Sequence, residues 1–242
     1  MTKKSKGMGD FMEKEIMVDI KNVSKSYEHA SGKFRVLDNV SLRIDKGEFV
    51  GIVGDSGSGK TTLLNLIGGM DRPSSGQITV AGDVISGFDD TALTRYRRKR
   101  VGFIFQDYNL IEELTVYENI LLPLQLNKKP CDEAHIDKLL HLLRLNEKKN
   151  TFPMQLSGGE AQRAAILRSL ISEPDIILAD EPTGNLDSKN TQAVVALLHQ
   201  FSMRMNCTIL FVTHNIALTK QCSRVICVQD KKLMAHAPET PD

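Results

Sequence analysis

Residues 49–62, with the sequence FVGIVGDSGSGKTT, contain the motif on which the fold assignment depends. Gly54–Thr61 match G-x-x-x-x-G-K-[ST], a glycine-rich loop that binds phosphate groups when it connects a strand to a helix. The apolar run Phe49–Val53 has the character of a buried strand, and Thr61–Met70 has helical spacing. The order strand, loop and helix therefore predicts an α/β fold that binds a nucleoside triphosphate.

The loop has the residue types that a polyphosphate requires. Glycines let the backbone turn its N–H groups toward phosphate oxygens, and the helix that begins near Lys60 adds the positive end of its dipole. Lys60 supplies a mobile cation for the β- and γ-phosphates, and the Thr61 hydroxyl suits Mg²⁺. A plain glycine-rich turn would explain the glycines but not this Lys-Thr pair. The residues expected to contact nucleotide are Gly54, Asp55, Ser56, Gly57, Ser58, Gly59, Lys60, Thr61 and Thr62.

An apolar run farther along the chain, Ile176–Ala179, ends in two carboxylates, Asp180 and Glu181. Successive strand residues point to opposite faces, so the end of the strand can give the two groups separate roles. We expect Asp180 to hold Mg²⁺ through a water molecule and Glu181 to act as general base toward the attacking water. The alternative is an acidic turn at the surface, and the phosphate-binding loop in the same chain argues against it.

Three more residues are candidates, each with an ordinary structural alternative. His214 follows the apolar run Thr208–Thr213 and is either a structural histidine or a contact to the γ-phosphate. Gln106 follows Val101–Phe105 and is either a turn amide or a neutral ligand that reaches the metal and the water. Tyr27 is either a core aromatic or a surface on which adenine stacks, an interaction worth ~1–3 kcal/mol per base in single-strand binders.

The remaining pattern alternates strands and helices, which predicts a parallel sheet covered on both faces. Residues from about 109 to 171 differ, because they have few β-branched runs and show helical spacing over Ala134–Leu145 and Ala161–Ile171. We therefore predict an α/β core that is interrupted by a helical insert. The other predicted elements are the strands Ile16–Val23, Val36–Ile44, Ile78–Val80 and Val225–Gln229 and a helix over 191–203.

The composition indicates one globular domain. Of 242 residues, 41% are hydrophobic and 25% are charged, and the net charge of +1 gives no sign of a nucleic-acid-binding protein. The four cysteines lack CxxC spacing and are expected to be buried, reduced thiols of a cytosolic protein. Residues 1–15 lack the apolar segment of a secretory signal and are expected to be a disordered leader. No apolar run approaches the ~20 residues of a membrane span, so any spanning part is expected on another chain.

A second glycine-containing segment, residues 156–163 with the sequence LSGGEAQR, narrows the class of protein. Ser157, Gly158 and Gly159 would form another helix N-terminus able to bind an anion. Many proteins with a phosphate-binding loop lack such a segment. With this segment included, nearly all of the chain resembles the nucleotide-binding domain of ABC transporters, and the motifs occur in that family's order.

The resemblance implies a role for each motif. Tyr27 falls at the adenine-stacking position, Gln106 in the Q-loop and Gly184–Asp187 in the D-loop, while Glu181 is the catalytic carboxylate and His214 the switch histidine. The substrate would be ATP and the cofactor Mg²⁺. In that reading the catalytic residues are Glu181, His214, Gln106 and Lys60, and the metal ligands are Thr61, Gln106 and Asp180.

The resemblance also implies the organisation of the chain. The family has a RecA-like P-loop NTPase core with a parallel sheet, an N-terminal antiparallel β subdomain and an inserted α-helical subdomain. Here these would form a single domain over 16–242, with the insert at about 107–172. Two copies pack head to tail, so that Ser157, Gly158 and Gly159 of one cover the γ-phosphate that the other holds, in an isologous dimer. Ala161 replaces a residue that is often polar, with little expected effect.

Three segments, Tyr96–Leu110, Leu114–Ile120 and Ala179–Asp187, are similar to the lipoprotein-release, macrolide-export and antimicrobial-peptide-resistance ATPases. The resemblance implies export or extraction through a permease with a large extracytoplasmic domain, at the cytoplasmic face of the cell membrane. A mechanotransmitting ATPase without transport, such as a cell-division regulator, remains the alternative. ABC ATPases that act on ribosomes or DNA carry a second cassette or a long coiled coil, and a small P-loop kinase would not need the LSGGEAQR segment.

Two surface stretches carry expectations about the permease. The basic run Arg95–Arg100 is either a solvated charged face or a contact to lipid headgroups or to the permease. Leu110–Leu124 carries apolar residues with no obvious periodic partner, so we expect it to dock a coupling helix of the permease.

Overall fold

The computed structural model describes residues 15–29 and 32–236, so the expected leader lies outside this part of the chain except for Glu15. The strands are β1 (Ile16–His29), β2 (Gly32–Asp45), β3 (Phe49–Val53), β4 (Ser75–Val80), β5 (Asp83–Val84), β6 (Val101–Ile104), β7 (Ile176–Asp180), β8 (Thr208–Val212), β9 (Arg224–Gln229) and β10 (Lys232–His236). The helices are α1 (Lys60–Ile67), α2 (Asp90–Arg100), α3 (Val116–Leu126), α4 (Glu133–Leu142), α5 (Gly158–Leu170) and α6 (Ser188–Met205).

Four strands form an antiparallel sheet in the order β2-β1-β4-β5. Its apolar side chains, such as Ile20, Leu37 and Ile78, belong to the same buried cluster as Leu63 and Leu64 of α1. The sheet therefore packs against the helix that follows the glycine-rich loop, and the expected antiparallel β subdomain is confirmed.

The second sheet has the order β10-β9-β3-β8-β7-β6. The strands from β9 to β6 are parallel, as predicted, and all residues of β3 and β8 are buried. The prediction missed β10, which pairs antiparallel with β9. Asp230 and Lys231 form the two-residue turn between them with φ of 50° and 66°, the backbone of a tight hairpin that usually contains glycine.

Helices α3, α4 and α5 pack around a separate cluster of buried residues, which confirms the helical insert. The apolar face predicted within Ala134–Leu145 is confirmed. Ile136, Leu140 and Leu143 are buried in this cluster, and Leu139 packs against it. The interpretation that the apolar residues of Leu110–Leu124 lack a periodic partner was wrong. Val116, Ile120 and Leu124 are buried four residues apart on α3, so their periodic partner is the core of the insert.

The basic run forms the end of α2, a helix that the sequence pattern did not predict. Tyr96 is buried, Arg97 donates to the Gly69 carbonyl at 2.7 Å, and Arg100 bonds Asp175 at 2.7 Å. The exposed basic residues of the run are Arg95, Arg98 and Lys99. Tyr96, Arg97 and Arg100 are therefore structural. For the exposed residues, a solvated charged face and a contact to lipid headgroups or the permease both stay predictions.

The four cysteines are all free, as expected, but only Cys207 is buried and Cys131 is exposed. Burial raises the pKa of the Cys207 thiol to about 12, which keeps it protonated at neutral pH. Within residues 15–29 and 32–236, none of the helices combines the length and the apolar character that crossing a membrane requires.

Candidate functional site

The glycine-rich loop leaves β3 at the centre of the parallel sheet and turns directly into α1. Gly54 has φ of 150°, and a Cβ there would lie 2.3 Å from the carbonyl oxygen of Val228. Gly59 has φ of 106°, and a Cβ there would lie 2.9 Å from the Val36 side chain. Only glycine fits these two positions, because the loop passes against β9 and β2 with a left-handed backbone.

Lys60 lies inside this loop and is 6% exposed. Its Nζ donates to the carbonyls of Gly54 and Asp55, each at 2.8 Å. The Ser58 Oγ is buried and has no hydrogen-bond partner among the described residues. The first N–H groups of α1 also lack partners within the helix. An unpartnered hydroxyl, the N–H groups at the start of α1 and the Lys60 cation therefore lie in one loop, which fits the phosphate chain of a nucleotide.

A cavity of about 260 Å³ lies beside the loop, at the carboxyl ends of the parallel strands. Burial, and secondarily the charge of Glu181, raise the pKa of Asp180, while the Thr61 hydroxyl and Lys60 act in the opposite direction. A hydroxyl, an amide oxygen and a carboxylate are hard ligands, so this donor set fits Mg²⁺. The predicted residues that line the cavity are Thr61, Gln106, Asp180 and Glu181.

Glu181 has φ of 46°, a left-handed backbone that is uncommon outside glycine. The strand alternation therefore stops at Asp180, and both carboxylates line one cavity instead of pointing to opposite faces. The Glu181 N–H donates to the Val212 carbonyl at 3.1 Å, which fixes the turn to β8. Its Oε2 lies 3.0 Å from Nδ1 of His214, so the structure brings these two predicted residues into contact.

Gln106 contacts the predicted D-loop, where sequence reasoning did not identify a partner for it. Its Nε2 donates to Oδ1 of Asn185 at 3.2 Å, and Asn185 Nδ2 donates back to the Gln106 carbonyl at 3.2 Å. Gly184 packs against the same amide, since a Cβ there would lie 2.9 Å from its Cδ. The two loops are therefore in direct contact beside Glu181.

Tyr27 is 38% exposed, so the core-aromatic alternative is wrong. Its hydroxyl donates to Oδ2 of Asp71 at 2.8 Å. Burial and the Asp71 contact raise the pKa of Tyr27, and the nearby Thr62 hydroxyl opposes them. The ring is thus placed beside α1 and close to the phosphate-binding loop, and adenine stacking stays a prediction.

Ser157, Gly158 and Gly159 lie at the start of α5. The Ser157 Oγ accepts from the N–H of Glu160, whose carboxylate in turn accepts from the Ser157 N–H at 2.8 Å, so this N-terminus is formed by a capping box. Ser157 and Gly158 are exposed. Among the described residues, no hydrogen bond joins this segment to Gly54–Thr61, so one chain does not bring together the two helix starts that are predicted to bind anions.

Arg168 is a structural residue that the sequence did not reveal. It lies on α5 and donates to the carbonyls of Tyr108 and Asn109, which have φ of 61° and 48°. Burial lowers the pKa of Arg168. Arg168 thereby holds the left-handed turn that follows Gln106 to α5, the helix that Ser157 caps.

Comparisons with known proteins identify the family of the chain. The family model described as ABC transporter matches residues 37–184. The bacitracin export ATP-binding protein BceA of Halalkalibacterium halodurans is 42% identical over 90% of this chain and 87% of its own length. The lipoprotein-releasing system ATP-binding protein LolD of Pseudomonas fluorescens is 39% identical over 93% of this chain and all of its own.

A solved structure shows the same fold. The dimeric ATP-binding cassette MJ0796, bound to ADP and Pi after hydrolysis, superposes with a TM-score of 0.84 at 38% identity. The match covers 93% of this chain and 100% of that one. The chain therefore belongs to the ABC transporter family, as an ATP-binding and ATP-hydrolysing subunit of the type that powers export or extraction.

Proposed function

We propose that this ATPase works as a head-to-tail homodimer in which each ATP is bound between the loop Gly54–Thr61 of one copy and the segment Ser157–Gly159 of the other. The observation that carries the proposal is that Ser157 and Gly158 are exposed and make no described hydrogen bond to the loop of their own chain. An exposed helix N-terminus with free N–H groups is a site for an anion. The solved MJ0796 cassettes are dimeric, which supports a dimer of this chain.

The contacts described above support the following roles within each site. Lys60 and the loop N–H groups bind the β- and γ-phosphates, and Tyr27 stacks on adenine. Glu181 accepts the proton of the attacking water, and its contact to His214 orients the carboxylate. Thr61, Gln106 and Asp180 would hold Mg²⁺, which when bound neutralises charge on the phosphates. Gln106 and Asn185 connect the Q-loop to the D-loop beside this water.

We expect Ser157→Arg to bind ATP almost as the wild type does but to lower hydrolysis about 10²-fold, because the partner's γ-phosphate loses its stabilising donors. Steady-state hydrolysis and nucleotide affinity are measured on the same preparation. The change also removes a helix N-cap, worth ~1 kcal/mol, so the melting temperature is recorded. Asn150→Arg places an arginine at another exposed position and serves as the control. An unchanged rate in Ser157→Arg would contradict the trans-acting role.

We expect Asp180→Asn to weaken Mg²⁺-dependent ATP binding about 10–100-fold, since a metal ligand loses its charge. The same change should stabilise the nucleotide-free protein at neutral pH. The pKa of Asp180 is raised in the fold, so its ionised form costs stability above that pKa, and the cost disappears as the pH falls through it.

Thermal unfolding of this variant and the wild type at neutral and acidic pH tests the second expectation. The stability advantage of Asp180→Asn should shrink toward low pH. A variant that is less stable than the wild type at neutral pH contradicts the stability expectation. A variant that keeps its Mg²⁺ response in ATP binding contradicts the role of Asp180 as a metal ligand.

We further propose that this subunit binds a permease with a large extracytoplasmic domain and thereby lies at the cytoplasmic face of the membrane. The proposed cargo is an antimicrobial peptide, a macrolide or a lipoprotein. BceA is named for bacitracin export and LolD for lipoprotein release, and both names support this range of cargo. The exposed residue Ile111, beside the Q-loop, and the partly buried Leu121 are candidates for permease contacts. Purification of the tagged subunit from membranes, with mass identification of the co-purifying protein, tests this proposal. A partner without membrane spans would contradict it.

A further inference from the structure

The carboxylate of Asp71 contacts two side chains of β1, Tyr27 and Lys25. Its Oδ2 accepts from the Tyr27 hydroxyl at 2.8 Å, and its Oδ1 accepts from Nζ of Lys25 at 2.6 Å. Lys25 is only 9% exposed and also donates to the carbonyl of Arg72 at 2.8 Å. Burial works toward a higher pKa of Asp71, but the hydrogen bonds from Lys25, Tyr27 and the Arg72 N–H together outweigh it and lower that pKa. The carboxylate is thus an ionised acceptor with well-defined donors.

The backbone of Asp71 is fixed to α1. The N–H groups of Met70 and Asp71 both donate to the carbonyl of Asn65, at 2.9 and 3.2 Å. Asn65 lies one turn beyond the Lys60–Thr62 end of the helix that contacts the phosphates. The carboxylate is therefore placed relative to the phosphate-binding loop by main-chain hydrogen bonds rather than by a flexible surface loop.

The Tyr27 ring depends on this carboxylate for its orientation. The ring is 38% exposed and is not part of any buried apolar cluster among the described residues. Nζ of Lys25 lies 4.7 Å from the ring centroid, so one face is occupied by a cation. The hydroxyl bond to Asp71 anchors the far end of the ring. An exposed tyrosine with neither contact would sample several rotamers, and ordering it on binding would cost free energy.

We propose that Asp71 is the positioning residue for the adenine base. Its carboxylate holds the Tyr27 ring at a fixed place relative to the phosphate-binding loop, and Lys25 holds the carboxylate through its own hydrogen bond. The proposal rests on the proposed stacking of adenine on Tyr27. Asp71 lies outside the recognised motifs, and it connects the position of the base to the position of the phosphates. The consequence is that loss of the carboxylate weakens binding of the base and leaves binding of the phosphates unchanged.

The test compares two ligands that share phosphates but differ in the base. Tyr27→Phe and Asp71→Ala are titrated with Mg²⁺-ATP and with Mg²⁺-tripolyphosphate, which has no base. We expect both variants to bind ATP about 3–10-fold more weakly, the range of losing one hydrogen bond of ~1 kcal/mol, and to bind tripolyphosphate as the wild type does. The double variant should be no weaker than either single one, since both changes break the same contact.

The controls separate this proposal from the proposed function. Asp90→Ala removes a neighbouring carboxylate, 97% exposed, and should change neither affinity. Tyr27→Ala tests stacking itself. If Tyr27→Ala weakens ATP binding but Tyr27→Phe and Asp71→Ala do not, the role of Asp71 is wrong and stacking stands. If Tyr27→Ala binds ATP normally, stacking fails and the proposal fails with it. Equal losses for tripolyphosphate and ATP would show that Asp71 merely supports the loop, and would also overturn the proposal. Tyr27→Phe deletes only an exposed hydroxyl and keeps the test valid if Asp71→Ala does not fold.

Discussion

Replacement of Glu181 by Gln should lower ATP hydrolysis about 10²–10⁴-fold while ATP binding persists. The change keeps the size and hydrogen-bonding shape of the side chain but removes the oxygen that accepts a proton from water, and general-base catalysis contributes an effect of this size. The backbone at Glu181 is left-handed and is fixed by its bond to Val212, so Gln occupies the same place. The phosphate donors around Lys60 are untouched.

Phosphate release at saturating Mg²⁺-ATP measures the first effect, and equilibrium binding of a fluorescent ATP analogue measures the second. Glu147→Gln alters an exposed carboxylate of the helical insert and should hydrolyse ATP at the wild-type rate. Wild-type turnover in Glu181→Gln would remove this carboxylate as the base. Loss of binding in that variant would show instead that the residue holds the nucleotide.

Replacement of Lys60 by Ala should weaken ATP binding by at least about 10-fold, because a charge-assisted hydrogen bond to phosphate is worth ~1.5–3 kcal/mol. Lys60 bonds the carbonyls of Gly54 and Asp55, so its ammonium group is already held in the mouth of the loop. Alanine leaves these two carbonyls close to the phosphates without a cation between them. Hydrolysis should fall with occupancy.

Isothermal titration with Mg²⁺-ATP measures this loss. Lys138→Ala removes an exposed lysine of the helical insert and should bind ATP normally. Normal affinity in Lys60→Ala, with an unchanged melting temperature, would contradict the assignment of the loop as the phosphate site.

The parts of the fold that the sequence predicted are those with continuous apolar runs. The predicted strand Phe49–Val53 coincides with β3, because each of its residues is buried on both faces of the sheet. Helix α2 was missed because only Leu93 and Tyr96 are buried on it, and its last turn is basic. β1 extends to His29, beyond the predicted Val23, because β2 supplies a partner over the whole length. Such pairings depend on distant residues that a local pattern does not contain.

The location of the candidate site was also predictable from continuous apolar runs, but the contacts among its loops were not. Asp180, Gln106 and His214 follow apolar strands, and the carboxyl ends of parallel strands meet at one edge of the sheet. Asn185 and Asp71 were not identified as partners, since their contacts to Gln106 and Tyr27 span 79 and 44 residues. The contact partner of a loop side chain depends on how the loops pack, which spacing along the chain does not encode.

The shared ATP site is tested most directly by the mass of the Glu181→Gln protein in solution, measured by sedimentation with and without Mg²⁺-ATP over a range of concentrations. The account predicts a monomer without nucleotide and, with ATP, a species of twice the mass that carries two ATP molecules. Adding Ser157→Arg to the same chain should abolish the larger species while each chain still binds ATP. A Glu181→Gln protein that binds ATP and stays monomeric at every concentration would contradict the account.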